Sequence, residues 1–164
     1  MDEGITHYLR TAHQLAIGSQ TAERIKLTIA SAQLNGAEPE MQVRGRHLVS
    51  GLPTSVTMSG AEARAAVMPA VREILQGIRD TLEQTPPELA SDIARDGILL
   101  AGGGTLLPGF DDLVAAETGM PVHSAESPLT CVAYGSGQAL AHLDTLARTS
   151  RQRSYIATGD WRTT

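Results

Sequence analysis

Apolar residues recur along the chain with two alternating periods, and the changes of period mark the elements. Ile5, Tyr8, Leu9, Ala12 and Leu15 fall on one face of a helix, which Gly18 is read as ending. Ser19 or Thr21 can cap a second helix over about Ala22–Ala32, with Ile25, Ile29 and Ala32 on its inner face. Asn35-Gly36 and Pro39 mark a loop. Met41–Leu48 and Ser55–Met58 alternate as short strands around a Gly51-Leu52-Pro53 turn, which predicts an antiparallel pair. Ser59 with Glu62 three residues on is a capping box, and a long helical pattern follows over about Gly60–Gln84. Pro69 predicts a break or kink near Met68. Ile74, Leu75, Ile78 and Leu82 form the inner stripe of that segment.

The second half has a different rhythm. Thr85-Pro86-Pro87 opens a helix over about Glu88–Arg95, and Gly97 stops it. Ile98-Leu99-Leu100 is a continuous apolar run, the pattern of a strand buried on both faces. The Gly102-Gly103-Gly104 turn follows, then a helix from about Leu106 or Pro108 to Glu117 that Thr118-Gly119 closes. Pro121–His123 reads as another strand, and Pro128 opens a last helix to about Ala147. The strand–turn–helix–strand order is a βαβ-type unit, and the first half is a small α+β lobe. Residues 149–164 are polar and, with Arg148, carry four arginines; they are expected to be a disordered basic tail that favours solubility over contact with anionic lipid.

Composition narrows the functional classes. The 164 residues carry a net charge of -5 without a basic stripe in the body, and aromatics are only 3%, so neither phosphate-backbone binding nor base stacking is supported and nucleic acid is excluded as a partner. The core must therefore be aliphatic. One cysteine, Cys131, rules out an internal disulfide framework and fits a cytoplasmic address. No apolar run approaches the length of a membrane span. The five histidines are scattered and none is given a catalytic role.

Three consecutive glycines between a strand and a helix let a ligand touch backbone directly, because no Cβ intervenes. The turn lacks the Lys-Ser/Thr of a phosphate-binding P-loop and the G-x-G-x-x-G spacing of a dinucleotide site. Taken alone, it reads equally as a plain tight turn or a ligand shelf. The flanking sequence shifts that balance. Asp96–Leu113, Glu117–His123 and Ser127–Ala133 are similar to the adenosine-binding region of the bacterial actin MreB family. Upstream, Thr81–Ile93, Ser50–Pro53, Val43–Arg46 and Thr21–Lys26 continue the resemblance in the same order.

The resemblance implies an α/β chain with a partial actin/heat-shock-chaperone ATPase-like fold: a second lobe with an incomplete central sheet plus a small α+β subdomain. It divides the chain into a large-lobe remnant (1–6), the small subdomain or insertion lobe (7–74), a βαβ-type core carrying the glycine turn (75–147) and the tail (148–164). It also implies an adenosine-side site formed by Glu23, Arg24, Ile25 and Lys26 on one helix and by Gly102, Gly103, Gly104 and Thr105 at the turn. Only the C-terminal half of the family is matched, so its phosphate and metal loops are expected to be missing. ATP binding is then weak or vestigial, in the millimolar range or undetectable, with no role for Mg²⁺ in this chain alone and no catalysis.

The implied role is that of a truncated cytoskeletal protein of cell-shape determination that acts by protein–protein association. Its expected partners are itself, a full-length family subunit or a membrane-anchored cell-shape protein, which would bring a cytoplasmic chain to the inner face of the membrane. The alternatives are an ATPase completed in trans by a chain carrying the phosphate-binding lobe, or a decayed fragment. In either case the sheet around Ile98–Leu100 and Val122 is expected to present an exposed apolar edge.

Overall fold

The structure is a computed structural model that describes residues 1–33, 36 and 38–143. The expected tail, residues 148–164, and the final turn of the last predicted helix lie outside the described residues. Helix α1 (Asp2–Ala12) leads into a two-residue strand, β1 (Leu15–Ala16), and then α2 (Ser19–Ile29). The hairpin β2 (Glu40–His47) and β3 (Pro53–Ser59) feeds α3 (Gly60–Glu83), followed by α4 (Pro87–Asp96). β4 (Ile98–Leu100), a 3-10 turn at Gly103–Leu106, α5 (Phe110–Thr118), β5 (Val122–Ser124) and α6 (Cys131–Ala141) complete the described chain.

Two small sheets result. β1, β2 and β3 form an antiparallel sheet in that order, with Val43 opposite Val56 and Leu15 opposite His47. β4 and β5 pair in parallel, Leu99 opposite His123, as the βαβ reading requires. One continuous hydrophobic cluster joins both halves, from Ile5 and Leu9 on α1 through Ile25, Val43, Met58, Val67 and Val71 to Phe110 and Val114 on α5. Phe110 is its one buried aromatic residue, and apart from Met58 the buried remainder is aliphatic, in line with the composition. The halves are also tied directly: the Ala32 amide donates to the Pro108 carbonyl at 2.8 Å, and Arg79 on α3 pairs with Glu117 on α5.

Four expectations are corrected. The first helix ends at Ala12, not near Gly18: His13 caps it and Gln14 turns into the left-handed region at φ 51, so that Leu15 can enter the sheet and bury completely. A two-residue strand leaves no period to detect in sequence. Pro69 does not break α3, which runs unbroken for 24 residues. Pro69 and Ala65, whose carbonyl loses its donor, both lie on the exposed side where water can substitute, while Val67, Val71 and Leu75 anchor both halves inside. The helix after the glycine turn starts only at Phe110, because Pro108 and a left-handed Gly109 delay it. Finally, β4 is not buried on both faces: Leu100 is buried but Leu99 is 70% exposed.

The capping box at Ser59 and Glu62 forms as read, and it does more than cap α3. Glu62 Oε2 accepts from the Ser59 amide at 2.8 Å, while Oε1 lies 2.7 Å from His13 Nε2 and accepts from the Tyr8 hydroxyl at 3.4 Å. One carboxylate thus joins the end of α1 to the start of α3. Burial pushes the Glu62 carboxyl up, but the Ser59 amide, His13 and the Ser59 hydroxyl outweigh it, and the net displacement is downward. Burial, followed by the Glu62 charge, raises the Tyr8 phenol. A depressed carboxylate stabilises the fold above its unfolded pKa of about 4.3, and the contribution is lost as pH falls through the lower folded value. Glu62→Ala is therefore expected to cost about 2 kcal/mol at pH 7 and much less at pH 3, as read by urea denaturation at the two pH values.

Candidate functional site

The two stretches that the sequence singles out meet in space. Lys26 on α2, Gly103 and Gly104 in the turn, and the side chains of Met1, Leu27, Leu106, Leu107 and Pro108 line one cavity of about 130 Å³. β4 positions the turn, because Leu100 is anchored in the core and Gly102 follows at φ 94. The Gly102 amide donates to the Pro128 carbonyl at 2.8 Å, which props the turn on the segment leading into α6. The Thr105 hydroxyl donates to the Gly102 carbonyl at 2.8 Å, so it is spent inside the turn. A methyl group added at Gly103 would lie 2.9 Å from Leu129 Cδ2, whereas one added at Gly104 would meet nothing within 4 Å. Gly104 is thus the open backbone of the shelf.

The α2 residues divide sharply. Ile25 is fully buried and packs in the core, and that packing sets the angle at which its neighbours leave the helix. Lys26 is about three-quarters covered and reaches toward the cavity. Glu23 and Arg24 are exposed on the outer side of α2 and do not line the cavity. Glu23 makes no ion pair with Lys26. Instead Lys26 Nζ stands 2.9 Å from Asp2 Oδ1 and donates to Asp2 Oδ2 at 3.1 Å. Among the described residues, Asp2 Oδ1 is buried with no hydrogen bond of its own and faces the charge of the ammonium. Sequence reasoning missed Asp2, whose only signal was its place in the acidic first turn of α1.

These groups suit the base end of a nucleoside. Lysine can only donate, the glycine backbone leaves a flat approach, and Leu27, Leu106, Leu107 and Pro108 supply apolar walls. The cavity is smaller than the roughly 300 Å³ at which whole-ligand pockets begin. A cavity of this size has room for an edge of such a ligand, not for all of it. The N-terminus of α5, the natural anion site of a helix, begins six residues beyond Gly104, at Phe110. A larger apolar groove of about 520 Å³ lies elsewhere, between α3, α4 and β4.

Comparison with known proteins agrees with this architecture. Residues 1–148 match the family model described as MreB/Mbl protein. The chain is 41% identical over 147 residues to the cell shape-determining protein Mbl of Bacillus subtilis, covering 90% of this chain and 44% of that protein. It is 46% identical over 143 residues to the cell shape-determining protein MreB of Escherichia coli, covering 87% of this chain and 41% of that protein. Among solved structures, MreB5 of Spiroplasma citri bound to AMPPNP superposes with a TM-score of 0.84 at 35% identity, covering 91% of this chain and 45% of that one. A MamK double helical filament superposes with a TM-score of 0.62 at 18% identity, which supports the fold alone. The fold is that of part of an actin-like protein, and the chain spans less than half the length of the curated relatives it matches.

Proposed function

The chain belongs to the MreB/Mbl family, and on that premise we propose that it is a cell-shape cytoskeletal protein carrying the adenosine side of a nucleotide cleft and working by protein association in the cytoplasm. One observation carries the nucleotide reading: Lys26 and the Gly103-Gly104 backbone, 77 residues apart in sequence for the nearest pair, line the same cavity. The Spiroplasma citri relative has been solved with AMPPNP and with ADP, which supports the same ligand class here. When bound, ATP supplies a cleavable phosphate chain. The residues of this chain hold its base end: Lys26 donates to the nucleoside, Asp2 fixes the lysine, and the Gly104 backbone accepts the ring. On this reading the residues at the cavity serve the nucleoside end alone, and turnover of ATP by the purified chain is not expected.

Gly104→Val tests the shelf. The added side chain enters open space, so the melting temperature should stay within about 2 °C of the parent. Binding of a fluorescent adenosine analogue, followed by anisotropy, should be abolished. Unchanged binding would remove the glycine turn from the site.

A second reading has its own support: this chain forms a working ATPase once the rest of the fold is supplied. Leu99 on β4, together with Leu129, Val132, Tyr134 and Leu140 on or beside α6, leaves a run of large apolar groups more than half exposed. Phosphate release on mixing with a chain that carries the other lobe, and from neither alone, is the result expected of it.

A further inference from the structure

Lys26 is the only charged side chain that lines the cavity between α2 and the glycine turn; the rest of its lining is apolar side chain and glycine backbone. A lysine ammonium about three-quarters covered in such a place is, by itself, a point-charge site for a phosphate group. Here it is compensated. Asp2 on α1 brings Oδ1 to 2.9 Å and Oδ2 to 3.1 Å from Lys26 Nζ. Asp2 does not line this cavity but borders a separate one of about 360 Å³ beside α1 and the start of α2, so the carboxylate meets the ammonium from outside the ligand side.

The pair separates two properties that a lysine ordinarily brings together, hydrogen-bond donation and net positive charge. Two opposite charges 2.9 Å apart largely cancel at a ligand anion, so a phosphate in the cavity gains little Coulomb attraction. Donation survives. One N–H of the ammonium goes to Asp2 Oδ2 and Oδ1 makes no hydrogen bond of its own, which leaves donors for an uncharged acceptor such as a ring nitrogen or a ribose oxygen. We propose that Asp2 determines which end of a nucleotide the cavity takes: by neutralising Lys26 it admits the uncharged base or ribose end and withholds any advantage from phosphate. That role rests on the nucleoside reading proposed above. Asp2 exercises it through Lys26 and touches no ligand itself.

Asp2→Asn tests it. The amide is close to the carboxylate in shape and keeps an acceptor for Lys26, but it leaves the ammonium uncompensated. Adenosine, AMP and inorganic phosphate are titrated into the full chain and its variants, with the chemical shifts of the Gly103 and Gly104 amides as the readout. In the parent, AMP and adenosine should bind within about threefold of each other, and inorganic phosphate should move neither glycine. In Asp2→Asn the ratio of AMP to adenosine affinity should rise about tenfold, the gain should shrink between about 20 and 500 mM salt, and inorganic phosphate should shift both glycines. Adding Lys26→Gln to Asp2→Asn removes the extra charge and should return the ratio to that of the parent. A residue that only held α1 in place would weaken both ligands alike. An unchanged ratio in Asp2→Asn therefore overturns the proposal, as does a gain that the double variant retains. Should the Asn variant not fold, Asp2→Ser makes the same charge change in the first turn of α1 and carries the same expected ratio. Failure of the nucleoside reading looks different: adenosine then does not bind the parent, while the appearance of phosphate binding in Asp2→Asn still decides the role of Asp2.

Discussion

Gly97→Ala should destabilise the chain by about 4 kcal/mol, the largest effect expected of any single substitution considered. Gly97 ends α4 at φ 85 and ψ -171, a region open to glycine almost alone, and forcing another residue into it costs about 1–3 kcal/mol. A Cβ built there would also lie 2.6 Å from the Pro121 carbonyl oxygen, a backbone atom that cannot swing aside. Relieving that contact pushes β5 away from β4 and breaks the neighbouring Ile98–Pro121 hydrogen bond, adding about 1–3 kcal/mol of overpacking. For a chain of this length the sum lowers the melting temperature by roughly 8–16 °C, readable by circular dichroism. The consequence extends to the site, because β4 carries the glycine turn. An unchanged melting temperature would mean that β4 and β5 do not pair as described.

Gly45→Ala should cost about 3 kcal/mol for a different reason. Here the backbone is ordinary and the space is missing: a Cβ would sit 2.4 Å from the Ala16 carbonyl oxygen, 2.9 Å from Leu15 Cγ and 3.1 Å from Ile17 Cγ2. β2 can accept the methyl group only by releasing β1, which unseats the fully buried Leu15. Only Ile17 and Gly18 separate β1 from α2, so the displacement reaches Lys26. The expected signature is a melting temperature lower by roughly 6–12 °C together with weaker nucleoside binding. Loss of stability with binding intact would show that the seating of β1 does not position α2.

Much of this was legible before any coordinates. The capping box at Ser59 and Glu62, the antiparallel hairpin, and Gly119 closing α5 each rest on local rules: a side-chain acceptor three residues before its donor, a period of two, a left-handed terminus. What failed depends on contacts across the chain. Leu15 looked like the end of a helix because its partner, His47, lies 32 residues on. Pro69 looked like a break because the one-dimensional pattern does not say that Ala65 and Pro69 face water. Leu99 looked buried because an unbroken apolar run identifies a strand meant to be covered, not whether the covering element is present. At the site, the family resemblance drew attention to Lys26 and the glycines, and the cavity they line together is a finding of the structure. Asp2 could not be found from sequence, since an ion pair 24 residues apart has no period or motif.

The central claim is that this chain holds the base end of a nucleotide and little else of it. It is tested most directly by titrating the purified full chain with adenosine and with ATP, with and without Mg²⁺, and following chemical shifts. Charge-assisted phosphate contacts are what normally separate the two affinities. Millimolar-range binding of both is expected, equal within about threefold and indifferent to Mg²⁺, with the shifts centred on Lys26 and Gly103–Thr105. ATP bound a hundredfold or more tighter than adenosine, in a Mg²⁺-dependent way, would contradict it.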